Sequence, residues 1–117
     1  MPTDRDLLSG AYDAFNARDI AAALALMHPH VGLAERVMEG GRVHGHDGVR
    51  DYWTRQWSVI DPHVEPRHFG TDETGRIVVD VHQVVRDRAG TVIADRMVQH
   101  VYRMQDGLVR SMEIRKS

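Results

Sequence analysis

The side chains best suited to chemistry in this sequence are imidazoles and carboxylates set into apolar runs. "VVDVHQVV" (78–85) holds Asp80 and His82 two residues apart, the spacing that turns both side chains to one face of a β-strand. A carboxylate beside an imidazole fixes its tautomer and orients it for proton transfer. Glu35 is a second signal. It stands in phase with Val31, Leu33 and Val37 in "VGLAERVM" (31–38), so an otherwise apolar strand face carries one carboxylate. Burial there penalises the charged form, raises the pKa and suits the group to general acid or base work. Each has a plainer reading: His82 as an exposed residue in the polar phase of a strand, Glu35 as a strand-end carboxylate paired with Arg36 or another arginine.

Other chemistries find less support. There are eight histidines and no cysteine, which removes disulfides, thiolate metal sites and cysteine nucleophiles together. The His-x-His of "MHPH" and "VHGH" has metal-ligand spacing. Both pairs flank proline or glycine in loops, however, and nothing fixes a third ligand. A metal-dependent enzyme would need three histidines or carboxylates to converge. No serine lies in a strained turn motif, and Gly40-Gly41 reads as a turn, not a phosphate loop. What is left is acid–base chemistry, with no cofactor and no metal expected.

The elements that must position these groups follow from spacing and punctuation. The 117 residues fit one domain, 1–117. Thr3 with Asp6 reads as a helix N-terminus, followed by Leu8, Ala11, Tyr12 and Phe15 at helical spacing. Asp19 caps a second helix, "IAAALALM", which Pro29 ends. A strand over 31–38 and the turn "EGGR" precede a third helix from about Asp47 to Trp57, with Val49, Tyr52, Trp53 and Trp57 on one side. Four strand-like runs then follow, separated by "TDETG", "DRAG" and "QDG", each ending in the glycine that hairpin loops need. The class is α+β: three N-terminal helices packed on a curved antiparallel sheet. The net charge of −2, without a basic stripe, argues against nucleic acid. No run is long enough to span a bilayer, and "MPTDRDLL" lacks the basic start of a signal peptide, so the default expectation is cytoplasmic.

The hairpin "DRAG" sets which side chains share a face. A three-residue loop, Arg88 to Gly90, puts Asp87 opposite Thr91 and His82 opposite Arg96. Asp80, His82, Arg96, Val98 and His100 then share one face, and Ile77, Val79, Val81, Val85, Ile93 and Met97 the other. A two-residue Ala89-Gly90 loop is the competing choice, and a one-residue slip regroups every side chain. In this register Asp80 orients His82 or His100, while Arg96 pairs with Asp80 or binds a substrate carboxylate or enolate. The greasy face with Val79, Val81 and Met97 would favour self-association through the sheet.

The order of elements, with "YDAFNARDI", "VHGHDGVRDYW" and "HVYRMQDGLV", resembles the SnoaL-like branch of the nuclear transport factor 2-like superfamily over nearly the whole chain. The resemblance implies a cone-like barrel with an internal pocket between helices and sheet, and a homodimer formed through the sheet. It does not imply one function, because the superfamily holds isomerases, dehydratases, cyclases, hydrolases and non-catalytic binders. Against its ketosteroid isomerases, Glu35 falls at the general-base aspartate and His100 at the oxyanion-binding aspartate. The oxyanion tyrosine aligns with Ala11, and Tyr12 stands one residue off. Against its scytalone dehydratases, "RHFG" brings His68, and "VHQVV" brings His82, onto the two catalytic histidines, while Phe15 and Glu35 replace the two tyrosines.

The sequence therefore favours a cofactor-free dehydratase, isomerase or cyclase acting on an apolar oxygenated molecule such as a polyketide, terpenoid or steroid-like compound. Glu35, His68, His82, His100 and Asp80 are the candidate catalytic groups. Arg96, Tyr12, Phe15, Trp53, Val98 and Met112 are the candidate substrate contacts. The alternative is a ligand-binding or dimerisation module without catalysis. Convergence of the histidines and Glu35 on one cavity would favour the enzyme, and their dispersal to solvent would favour the module.

Overall fold

A computed structural model describes residues 3–34 and 42–116. Helix α1 (Asp4–Asn16) starts where its cap dictates. Asp6 N donates to Thr3 Oγ1 at 3.1 Å and Thr3 N donates to Asp6 Oδ2 at 3.2 Å, so two amides left free by the first turn are satisfied reciprocally. Its inward side carries Leu8, Tyr12 and Ala14. The chain leaves α1 through Arg18, whose φ of 62° lies in the left-handed region. That conformation is held by the side chain, which donates to the carbonyls of Phe15 and Pro62, pairs with Asp61, and lies over the Phe15 and Trp57 rings. Asp19 then caps α2 (Ile20–Ala25) through Ala22 N at 3.1 Å.

Strand β1 (Met27–Ala34) begins four residues earlier than the 31–38 expected, and includes Pro29. The ladder to its neighbour passes from Met27 directly to Gly32, so the missing proline N–H leaves no ladder bond unmade. After β2 (Arg42–His44) and α3 (Gly45–Val59) come β3 (Ile60–Thr71), β4 (Ile77–Asp87), β5 (Val92–Gln105) and β6 (Leu108–Lys116). The six strands form one curved sheet in the order β2-β1-β6-β5-β4-β3. All pairings are antiparallel except β1 with β6, which is parallel. The helices cover the concave face, and the core lies between, around Leu8, Val31, Val49, Val79, Val81 and Val109, none more than 1% exposed. Among the described residues no helix is long and apolar enough to cross a membrane.

The β4–β5 hairpin turns through the three-residue loop, with Asp87 N donating to Thr91 O at 2.9 Å and Gly90 at φ 94°. The expected register does not continue beyond it. Arg86 pairs with Val92, but Val85 pairs with Ala94, leaving Ile93 as an extra residue on β5. From this bulge onward every pair is offset by one: Val81 faces Val98, Val79 faces His100 and His82 faces Met97. A one-residue offset exchanges the two faces of a strand. The expected common face of Asp80, His82, Arg96, Val98 and His100 is therefore corrected: Val98 and His100 join Val79 and Val81 inside, while Asp80 and His82 lie outside with Met97. The expected greasy outer face is corrected with it, since Val79 and Val81 are fully buried between the sheet and the helices.

Deleting Ile93 should turn Val98, His100 and Tyr102 away from the core, and the variant is expected to lose its cooperative urea transition. Ile93→Thr, at a site 56% exposed, should stay within about 0.5 kcal/mol of wild type. A stable deletion variant would show that the bulge does not set the phase.

Candidate functional site

The concave face of the sheet and the helices enclose an apolar cavity of about 750 Å³, its open mouth included. Helix α1 supplies Ala11, Tyr12 and Phe15, and α3 supplies Trp53 and Gln56. The sheet supplies Leu33, Gln83, Val85, His100, Tyr102, Val109, Met112 and Ile114, with Pro62 and Val64 from β3. One wall is aromatic. The Phe15 ring meets Trp53 and Trp57 edge-on at 5.3 Å each, and the two indoles stack at 5.7 Å. No carboxylate, lysine or arginine is among the described lining residues.

Polarity is concentrated at one pole. Tyr102 OH donates to Tyr12 OH at 2.8 Å, and Tyr12 OH lies 2.8 Å from His100 Nδ1. His100 is 5% exposed, and its Nε2 has no partner among the described residues. Hydrogen counting then fixes what this pole offers. Two hydroxyls and a neutral imidazole carry three hydrogens, and the two bonds of the chain use two. One is left over: the His100 Nε2–H when Tyr12 donates to Nδ1, or the Tyr12 hydroxyl hydrogen when Nδ1 is the donor. Either way the pole is a net donor. Burial keeps it neutral, lowering the His100 pKa from 6.5 to about 4 and pushing both tyrosines well above their ordinary value of 10.0.

Of the candidate residues, the structure brings Tyr12, Phe15, Trp53, Met112 and His100 together on the cavity wall. Val98 is buried in the core beside them without lining the cavity. Arg96 faces Gln83 across the β4–β5 ladder, on the same side of the sheet as Val98 and His100, but does not line the cavity. It donates from Nε to Gln83 Oε1 at 2.9 Å, and this bond stands where the pairing with Asp80 was expected. His82, Asp80 and His68 do not reach the cavity. They occupy the outer face of the sheet, where His82 Nε2 lies 2.7 Å from Asp95, Asp80 accepts from Gln99 at 3.0 Å, and the His68 side chain is 73% exposed. The Ile93 bulge, by offsetting β5, separates them from His100. Glu35 lies outside the described residues.

Three polar lining residues were not among the candidates. Tyr102 follows His100 by two, so strand alternation alone places it on the same face. Gln56 and Gln83 each stand in an apolar phase, Gln56 with Val49, Tyr52 and Trp53 and Gln83 with Val79, Val81 and Val85, and a polar residue in such a phase was the signal that could have found them. Among the described residues no three histidines or carboxylates are close enough to hold a metal ion.

The family model of the SnoaL-like domain matches residues 8–112. Among solved structures, TerC co-crystallised with polyporic acid is 27% identical, with a TM-score of 0.85 over 97% of this chain and 91% of that one. An NTF2-like protein of unknown function from Burkholderia pseudomallei is 26% identical, with a TM-score of 0.85 over 100% and 92%. A Mycobacterium tuberculosis protein in complex with estradiol-17beta-hemisuccinate shares the fold at 16% identity and a TM-score of 0.78, over 92% and 88%. No curated protein matches the chain.

The neutral state of His100 makes stability depend on pH. The unfolded chain takes up a proton near the ordinary value of 6.5 that the folded one refuses down to about 4. The contribution is complete above about pH 6.5 and is lost as pH falls toward 4. Between about pH 7.5 and pH 5, the urea-denaturation stability of wild type should fall more than that of His100→Gln, by on the order of 2 kcal/mol. Equal falls would mean that the folded protein protonates His100.

Proposed function

The chain belongs to the SnoaL-like domain family, and on that footing we propose that its cavity binds a small, largely apolar, oxygen-bearing molecule and moves a proton on it without a cofactor. The observation that carries this is the hydrogen left over by Tyr102, Tyr12 and His100 at the polar pole of an apolar cavity. An apolar ligand with one carbonyl fits that arrangement, because its oxygen satisfies a donor that is otherwise buried without a partner. If a proton is removed beside the carbonyl, the oxygen gains charge, and a fixed donor in a water-poor cavity holds it more strongly than it held the ketone. Dehydration, isomerisation and cyclisation of such compounds can each pass through that enolate.

The roles divide accordingly. His100 and Tyr12 hold the oxygen, with Tyr102 fixing the direction of their hydrogen bonds. All three stay neutral, so they stabilise charge without themselves giving up a proton. Proton removal falls to Glu35, which follows Leu33 at strand spacing in the sequence. Phe15 and Trp53 offer a flat apolar wall to a ring system. The polyporic acid and steroid-ester complexes of two structural neighbours support occupancy by small molecules. Self-association through the sheet rests on the family and on Met97, 41% exposed on the outer face.

One observation favours a second reading, a binding protein without catalysis: the described lining contains no carboxylate. Two probes separate them, 1-tetralone and estrone, both ketones with exchangeable protons beside the carbonyl. Binding is read from tryptophan fluorescence and exchange by NMR in deuterated buffer. Wild type is expected to bind and to catalyse exchange, and Glu35→Gln to bind without exchange. His100→Leu should weaken binding about tenfold, the usual worth of one buried hydrogen bond. Binding without catalysed exchange selects the binding protein, and exchange retained by Glu35→Gln removes Glu35 from the mechanism. Failure to bind either ketone removes the small-molecule reading.

A further inference from the structure

Gln83 is a buried amide in the wall of the same cavity, 6% exposed and away from the tyrosine–histidine pole. Its orientation is settled by chemistry. Arg96 Nε sits 2.9 Å from Oε1, and a guanidinium has hydrogens to give and no lone pair to accept one. The amide oxygen must therefore face Arg96, and the amide NH2 is turned to the remaining side. No partner for that NH2 is found among the described residues, while the residue lines the cavity. An amide that nothing fixed could offer either its oxygen or its nitrogen; this one offers nitrogen.

The two donor sites are well separated. His100 pairs with Val79, and Gln83 stands four residues further along the same strand on the same face. At a rise of about 3.3 Å per residue, the two positions are roughly 13 Å apart along β4. Val81 and Val98 fill the face between them, and both are buried. The sheet thus presents donor, apolar stretch, donor.

We propose that the cavity takes an elongated apolar molecule with an oxygen at each end, one held by Tyr12 and His100 and the other by the Gln83 amide, which Arg96 orients from the neighbouring strand. This deepens the small-molecule reading and rests on it. Arg96 acts as a positioning residue: it touches Gln83, and Gln83 touches the ligand. The ligand class narrows to extended polycyclic or linear compounds with two separated carbonyl or hydroxyl oxygens. A compound with one oxygen leaves one of the two donors without a partner.

The test uses three steroids with one skeleton: estrone, which has a phenol at one end and a ketone at the other, and its two relatives lacking either the ketone or the phenol. Wild type should bind estrone about tenfold more tightly than either relative. Gln83→Leu should abolish the advantage over the relative that lacks the Gln83-facing oxygen, while binding that relative as wild type does. Arg96→Met should shrink the same advantage by freeing the amide to turn, and should add nothing in the Gln83→Leu background. The readout is the ratio between estrone and its relatives, which a purely structural loss would leave unchanged. In labelled protein, the side-chain NH2 signal that disappears in Gln83→Leu should shift when estrone is added. If Gln83→Leu weakens all three steroids alike, or none, the second donor site is overturned while the small-molecule reading stands. If wild type binds none of the three, the reading beneath it fails as well.

Discussion

One extra residue on β5 decides what the interior of this protein contains. With Ile93 bulged out, Val98, His100 and Tyr102 meet Val79 and Val81 across the concave face. Without it, the same strands would present Asp80 and His82 to the core, and two ionisable side chains would have to be desolvated among valines. The cavity, its polar pole and the separation between His100 and Gln83 all follow from this offset. The loop itself is ordinary, with Asp87 holding the amides of Ala89 and Thr91 at 2.9 and 3.0 Å. The hairpin therefore turns in one register and the sheet continues in another.

Burial then does the electrostatic work. The described wall has no fixed charge, and its titratable groups are kept neutral by desolvation, not tuned by an opposing charge. A neutral donor left unpaired costs far less than an unpaired charge would, and it gains when an oxygen arrives, more so as that oxygen becomes negative. Charge is present nearby but outside the lining. Arg96 bonds Gln83 from the adjacent strand, and His82 and Asp80 bond Asp95 and Gln99 on the far side of the sheet.

The parts of this arrangement that depend on local chemistry could be read directly. Thr3 with Asp6, Asp19 before "IAAALA", and glycines at the ends of the hairpin loops gave helices and strands close to those found, because caps and turns are settled by neighbours in sequence. Tyr12, Phe15, Trp53 and His100 were identified as pocket candidates, and they line the cavity. The grouping of Asp80 and His82 with Arg96 and His100 failed because no residue type marks a bulge; Ile93 is as good a strand former as any. A signal was nevertheless present. The apolar phase of β4, Val79 and Val81, meets the apolar phase of β5, Val98 and Tyr102, if one residue is gained after the three-residue turn, or if the turn is the two-residue Ala89-Gly90 loop. The role of Gln83 was illegible for a different reason: it comes from Arg96, thirteen residues away across the hairpin.

The parallel pairing of β1 with β6 has a consequence for how the molecule comes into being. Val109 N bonds Leu26 O at 3.0 Å, and Leu33 lies beside Met112, so strands separated by most of the chain's length are neighbours in the sheet. During synthesis α1, α2 and β1 emerge well before β6, with their apolar sides uncovered until that strand arrives. The polar pole shares that delay, because Tyr12 waits for His100 and Tyr102. Contacts this distant in sequence slow folding and leave greasy surface open in the interval. A pause in translation before β6 leaves the ribosome would prolong that exposure.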